Sequence, residues 1–271
     1  MAYLEPQRFR TQEDRFCPGQ HRQVPVTSRA LHAQIVSSRG HVFAENYSCM
    51  SNGTDFLIIA PLQDEREALL DLLLQPRLMA PDNLDTRVYH LSEMPVERSD
   101  GSRGSYRLTV TSPLDMGLVE AATATSDAIR RFGPRYVLLV GIAGGVGEKI
   151  QLGDLLIADQ LVDYEHQKLT SDRPEVRYRA HRTDARLVAW AQNFRSFNFD
   201  AVGSRPEPGT SRRHVGPIIT GNKVMASVDA LAVYRADWPN IIGVEMEAGG
   251  VASAAFEAAA KPGVLAIRGV S

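Results

Sequence analysis

Apolar and polar positions are distributed unevenly along this chain. Residues 1–54 carry scattered Arg, His, Gln and Ser with little apolar periodicity, which predicts an irregular N-terminal arm or accessory segment. A regular pattern starts at Asp55. FLIIAPL (56–62) is a short apolar run suited to a buried strand. Ala68, Leu69, Leu72 and Leu73 then recur at helical spacing, so a helix is predicted to start near Leu62, with Pro61 at its entry. SYRLTVTS (105–112) alternates as a strand does. MGLVEAATATSDAIRRFG (116–133) reads as a helix closed by Gly133 and Pro134.

YVLLVGIAGGVG (136–147) predicts a buried strand running into a glycine turn, and DLLIADQLVDYE (154–165) a second strand. From Thr170 to Val215 the chain is polar, with one helix expected near Asp184–Phe194 and loops around it. PIIT (217–220) is a short strand. NIIGVEMEAGGVASAAFEAAA (240–260) reads as a strand followed by a helix, and GVLAIRGVS (263–271) as a final strand. Strands alternating with helices predict an α/β domain over 55–271, a three-layer α/β/α sandwich around a twisted, mixed, largely parallel sheet.

Composition adds exclusions. Of 271 residues, 44% are hydrophobic and 23% charged, the ordinary range for a globular protein. A net charge of -2 offers no field for nucleic acid or an anionic membrane. No apolar run reaches the length of a membrane span, and the N-terminus shows no secretory h-region. Cys17 and Cys49 form no CxxC, so neither a disulfide framework nor a zinc site is indicated, and a reducing cytoplasm is the expected compartment. His166, His181 and His214 show no metal spacing, and no cofactor is indicated.

Four segments carry candidate chemistry. In VGIAGGVG (140–147), glycines after a buried strand let a ligand approach the backbone at a strand end. Their G-x-x-G-G spacing is not a dinucleotide fingerprint, and a tight turn explains them equally well. GVEMEAGGVA (243–252) places Glu245 and Glu247 where a strand gives way to a helix of small residues. A pair of sugar hydroxyls would supply donors to such carboxylates, while acidic residues also simply suit a helix N-terminus. APLQDEREALL (60–70) is open to the same two readings, a general base or an acidic first turn. Arg268, in AIRGVS, sits on an apolar strand. It needs a carboxylate or ligand partner, or an edge position that reaches solvent.

Taken in order, these four segments resemble the nucleoside phosphorylase superfamily, in particular its methylthioadenosine/S-adenosylhomocysteine nucleosidase type. The resemblance covers about 55–271, and VEMEA followed by a late IRGVS is its most specific pair. It implies a domain that holds a purine nucleoside or nucleotide at its N-glycosidic bond and hydrolyses it. Under it, Glu65 matches the catalytic acid that orients the attacking water. Ala143 and Gly144 match the backbone lining ribose and purine. Val224 and Met225 match the segment packed on the base, Met246 the residue beside the ribose, and Glu247 the carboxylate that accepts from the 2′ and 3′ hydroxyls. Arg268 belongs to the same substrate-binding set. Ser271 matches the serine before the family's catalytic aspartate.

The chain stops at Ser271, short of the family's C-terminal end. That implies either a fragment of a longer protein or a catalytically impaired, nucleotide-sensing domain of a larger one. Leu139 stands where phosphorylases of the family carry an arginine for phosphate, which favours hydrolysis over phosphorolysis. Val224 replaces an aromatic ring that often stacks on the base, which implies either weaker base affinity or a stacking role for another residue such as Tyr164. Lys168, Arg173, Arg212, Arg213 and Lys223 are candidate contacts to a 5′-phosphate, or a solvated loop face. Family members are commonly oligomers, so a homo-oligomer is expected, with a small purine nucleoside or nucleotide as the partner.

Overall fold

The structure is a computed structural model and describes residues 53–82, 85–171, 175–194, 210–225 and 228–271. The N-terminal arm expected over 1–54 falls almost wholly outside them. β1 (Phe56–Ile59) leads into α1 (Gln63–Leu72), then β2 (Arg77–Met79), β3 (Tyr89–Glu97) and β4 (Arg103–Thr111). α2 (Leu118–Phe132) follows, then β5 (Tyr136–Gly145), β6 (Leu155–Asp163), and the short β7 (Gln167–Lys168), β8 (Glu175–Val176) and β9 (Arg179–Arg182). α3 (Ala185–Asn193), β10 (Arg213–Thr220), α4 (Val228–Asp237), β11 (Gly243–Glu245), α5 (Ala248–Glu257) and β12 (Gly263–Val270) complete the order.

The fold is α/β around a mixed sheet, as the alternation predicts. β4, β1, β5 and β12 run parallel side by side, and β6, β10 and β11 form a second parallel block. The two blocks meet antiparallel twice, at β12–β6 and at β11–β5. β5, β12, β6, β10 and β11 therefore close on one another as a ring, and β1, β4, β3 and β2 extend from it as an open wing.

Ring closure is where the glycine segment finds its use. β5 continues as a strand through Gly144 and Gly145, which pair with Val244 and Gly243, instead of turning at the AGG as the sequence suggests. A Cβ on Gly243 would stand 2.5 Å from Leu156 Cδ1 and 3.3 Å from the Gly144 carbonyl oxygen. Only bare backbone lets these strands approach so closely.

The main core lies where β1, β5, β6 and β12 meet α2 and α5, with Leu57, Ile59, Leu139, Leu156, Ala128 and Val251 all fully buried. The small-residue pattern of α5 serves contact within the chain, because α5 packs on α2. A Cβ on Gly250 would lie 2.0 Å from the Leu118 carbonyl oxygen. α2 ends as its sequence foretells: Gly133 takes the left-handed conformation at φ 52° and donates to the Ile129 carbonyl.

Candidate active site

The site is built where the ring's strands end and two helices begin. Arg268 lies on β12, which is flanked on both sides by β5 and β6, so the edge-strand reading of this arginine does not hold. Its side chain is 1% exposed and needs carboxylate partners. It has two: one guanidinium nitrogen, Nη2, donates to Glu245 and, at 3.0 Å, to Glu247.

The two glutamates divide the roles that the sequence left open. Glu245, at the end of β11, accepts the backbone N–H groups of Glu247 and Ala248, so it caps the N-terminus of α5. Glu247 caps nothing with its side chain. One of its oxygens takes Arg268 and the other a 3.4 Å contact from the Gly117 N–H at the start of α2. A carboxylate offers about four acceptor positions, and two are used here. Burial, and then the nearby Glu245 charge, push the Glu247 carboxyl above its ordinary range; Arg268 opposes them.

Glu65 sits in the first turn of α1. Its Oε2 accepts the Leu62 N–H at 2.8 Å, which closes the start of the helix, and its Oε1 accepts the Ile142 N–H of β5 at 2.7 Å. The acidic-first-turn reading is realised by Oε2, while Oε1 reaches across to β5. Gly141 lies beneath: a Cβ there would be 2.5 Å from Glu65 Oε1 and 2.4 Å from Arg268 Nη1. The absent side chain is what brings the Glu65 carboxylate and the Arg268 guanidinium to the same small volume over β5. Glu65, Arg268, Glu245 and Glu247 form one contiguous charged cluster.

Ala143 is buried and accepts the Ser271 N–H at 3.2 Å, while Gly144 pairs with Val244. Met246 is half-buried in the turn between β11 and α5, and Ser271 is exposed after β12. Val224 is 77% exposed, whereas Met225 packs on the second core cluster with Val162, Tyr164 and Val244.

Tyr164 does not offer a stacking face. It is fully buried against Tyr234, and its hydroxyl donates to the Lys223 carbonyl, so it supports the 221–223 segment from below. The basic residues do not converge. Arg213 donates to the Gln192 and Phe194 carbonyls at the end of α3, Lys223 pairs with Glu165 at 2.6 Å, and Lys168 lies 3.7 Å from Glu175. The Arg212 backbone N–H donates to buried Asp154, and Arg173 is outside the described residues.

His214 donates to or accepts from Asp154 at 2.8 Å. His181 is half-buried on β9, and no group of three metal-ligating side chains occurs among the described residues.

Sequence reasoning missed Gly117 and Asn222, and singled out Gly141 only as part of the glycine segment. The Asn222 Oδ1 accepts the Leu118 N–H at 2.9 Å. The only signal for them was their neighbourhood, since Asn222 lies two residues before Val224 and Gly141 opens the glycine segment.

Known proteins share this framework. A 5′-methylthioadenosine/S-adenosylhomocysteine nucleosidase of Aeromonas salmonicida is 34% identical over 136 residues, covering 49% of this chain and 55% of the relative. One from Maridesulfovibrio salexigens is 22% identical over 204 residues, covering 73% and 78%. The chain thus spans little more than half the length of the first of these relatives. The solved nucleosidase from Neisseria meningitidis, in complex with methylthio-immucillin-A, superposes with a TM-score of 0.60 at 20% identity, over 80% of this chain and 85% of that one. The one from Colwellia psychrerythraea, in complex with adenine, gives 0.61 at 22% identity, over 81% and 83%. These likenesses carry the fold. Residues 55–271 match the family model of the phosphorylase superfamily, and the chain belongs to that family.

Proposed function

We propose that residues 55–271 hydrolyse the N-glycosidic bond of a purine nucleoside. The observation that carries this reading is Glu247: a buried carboxylate, 5% exposed, held by Arg268 and Gly117 and left with unused acceptor positions beside Glu65. Breaking the bond develops positive charge on the ribose and negative charge on the departing purine. Glu247 accepts from the 2′ and 3′ hydroxyls, and its negative charge favours the cationic sugar. Glu65, fixed by two backbone donors, orients the attacking water on the reacting carbon and takes its proton as the C–O bond forms. Meanwhile the C–N bond breaks, and the departing purine takes up a proton at N7. The backbone at Ala143 and Gly144 lines the sugar and base, with Met246 beside the ribose and Val224–Met225 against the purine.

Leu139 supports hydrolysis over phosphorolysis. It is fully buried in the main apolar core, so the position of the phosphorylase arginine holds no cation. The names of the relatives point the same way.

The test is release of adenine from 5′-methylthioadenosine and adenosine, with and without phosphate. It is run on this chain and on a version extended past Ser271. Phosphate-independent release supports the proposal. Binding without release in both forms supports a sensing domain instead, and phosphate-dependent release a phosphorylase.

A further inference from the structure

The end of β10 and the segment after it reach both helices beside Glu247. The Thr220 hydroxyl accepts the Gly249 N–H at 3.1 Å, which holds the first turn of α5. The Gly221 N–H donates to the Glu245 carbonyl at 3.1 Å. The Asn222 Oδ1 accepts the Leu118 N–H, which holds the first turn of α2. Val224 and Met225 come next. One short stretch therefore ties down both helices that bracket Glu247.

The Asn222 contact is an N-cap supplied from 104 residues away in sequence. The local N-cap position of α2 is Gly117, which has no side chain to do this work. Gly117 is itself matched to Asn222. Its φ of 111° disfavours any other residue, and a Cβ there would stand 2.9 Å from the Asn222 Oδ1. The same glycine points its N–H at Glu247. Asn222 is held in turn: its own N–H donates to the Glu165 Oε1 at 2.7 Å, and Lys223 takes the Oε2.

We infer that Asn222 is a positioning residue that couples the Val224–Met225 segment to the ribose carboxylate Glu247, by capping α2 beside the Gly117 amide. This rests on the nucleosidase reading for the identities of base and ribose. Whatever seats the 224–225 segment also seats Asn222, and Asn222 keeps the Gly117 N–H aimed at Glu247. The physical requirement is an acceptor at the N-terminus of α2. Aspartate meets it and gains from the helix dipole; alanine does not.

The experiment compares the full chain with Asn222→Ala and Asn222→Asp. In ligand-free protein, hydrogen exchange at the Leu118 amide is expected to rise roughly tenfold in the alanine variant, from loss of the cap. It should stay slow in the aspartate variant. Calorimetry with adenine and with the uncleaved analogue methylthio-immucillin-A then gives the affinity gained by adding the sugar. That gain falls roughly tenfold in Asn222→Ala and is kept in Asn222→Asp.

An unchanged Leu118 exchange rate in Asn222→Ala overturns the inference, and so does an unchanged sugar gain in a variant that binds adenine. If Asn222→Ala does not fold, fast exchange at Leu118 in Asn222→Asp overturns it. Should the wild type bind neither compound, the nucleosidase reading fails, and the exchange measurement alone decides whether Asn222 holds α2.

Discussion

The closed ring and the open wing of this sheet are stabilised in different ways. In the wing, the buried end of β4 alternates apolar Leu108 and Val110 with uncharged Thr109 and Thr111 after a more exposed start, and its contacts with β3 pair side chains such as Ser105 and Glu93 in solvent. At the ring's end, four polar or charged side chains are buried together: Thr220, Glu245, Glu247 and Arg268. Among the described residues, the wing's strands bury apolar and hydroxyl side chains but no charged one. The ring spends stability on desolvating charges, then recovers part of it through hydrogen bonds to two helix N-termini. Under the proposed function a reacting ligand needs that cluster, and the contrast marks the candidate site.

The contrast breaks most severely at Arg268. Replacing it with Met leaves Glu245 and Glu247 buried without their cation, and the loss should be roughly 3–5 kcal/mol by urea denaturation. A loss below about 1 kcal/mol, the range of an exposed pair, would mean the cluster is wetter than its burial suggests.

Gly250→Ala comes next. The added Cβ collides with the Leu118 carbonyl, so α2 and α5 must separate, at a cost of roughly 1–3 kcal/mol in the same measurement. An unchanged midpoint would show that the two helix starts are not in fixed contact.

The third effect is a pH dependence. The Glu247 carboxyl is raised above its ordinary 4.5, so the native state holds that proton more tightly than the unfolded chain does. Its contribution to stability is therefore present below 4.5 and is lost as pH rises through the folded-state value. Under the proposed function sugar binding needs the ionised form, so nucleoside affinity should rise with pH along a limb centred above 4.5. Glu247→Gln should remove that limb. A limb at or below the ordinary value would contradict the burial argument.

The smallest effect belongs to the wing. Ser105→Ala removes an exposed 3.5 Å contact and should change stability by less than about 0.5 kcal/mol.

Local periodicity made much of this molecule legible. β1, α1, α2 and β6 follow from apolar spacing, and α3 starts where Asp184 caps it through Arg186 and Leu187. Elements without that signal escaped. β3 carries Pro95, tolerated because its outer edge pairs with β2 only over Tyr89–Leu91. β9 reads RAHR, mostly exposed, and becomes a strand only by pairing with β6. α4 lies in VDALAVYRAD, where apolar residues follow no single face clearly.

The ring was illegible for a deeper reason. Its closing pair joins Gly144 and Gly145 of β5 to Val244 and Gly243 of β11, far away in sequence, so the same letters that look like a turn are the contact surface. In the site, residue types pointed to Glu65, Glu247 and Arg268. The split between Glu245 as cap and Glu247 as free acceptor depends on which backbone amides each reaches, and so does the role of Asn222. No spacing in the sequence encodes those amides.

The most direct measurement of the central claim is calorimetry of adenine and the uncleaved analogue methylthio-immucillin-A on the wild type and on Glu247→Gln. The account predicts that Glu247→Gln binds adenine as the wild type does and loses about 1.5–3 kcal/mol of the affinity contributed by the sugar. Equal sugar contributions in the two proteins would contradict it.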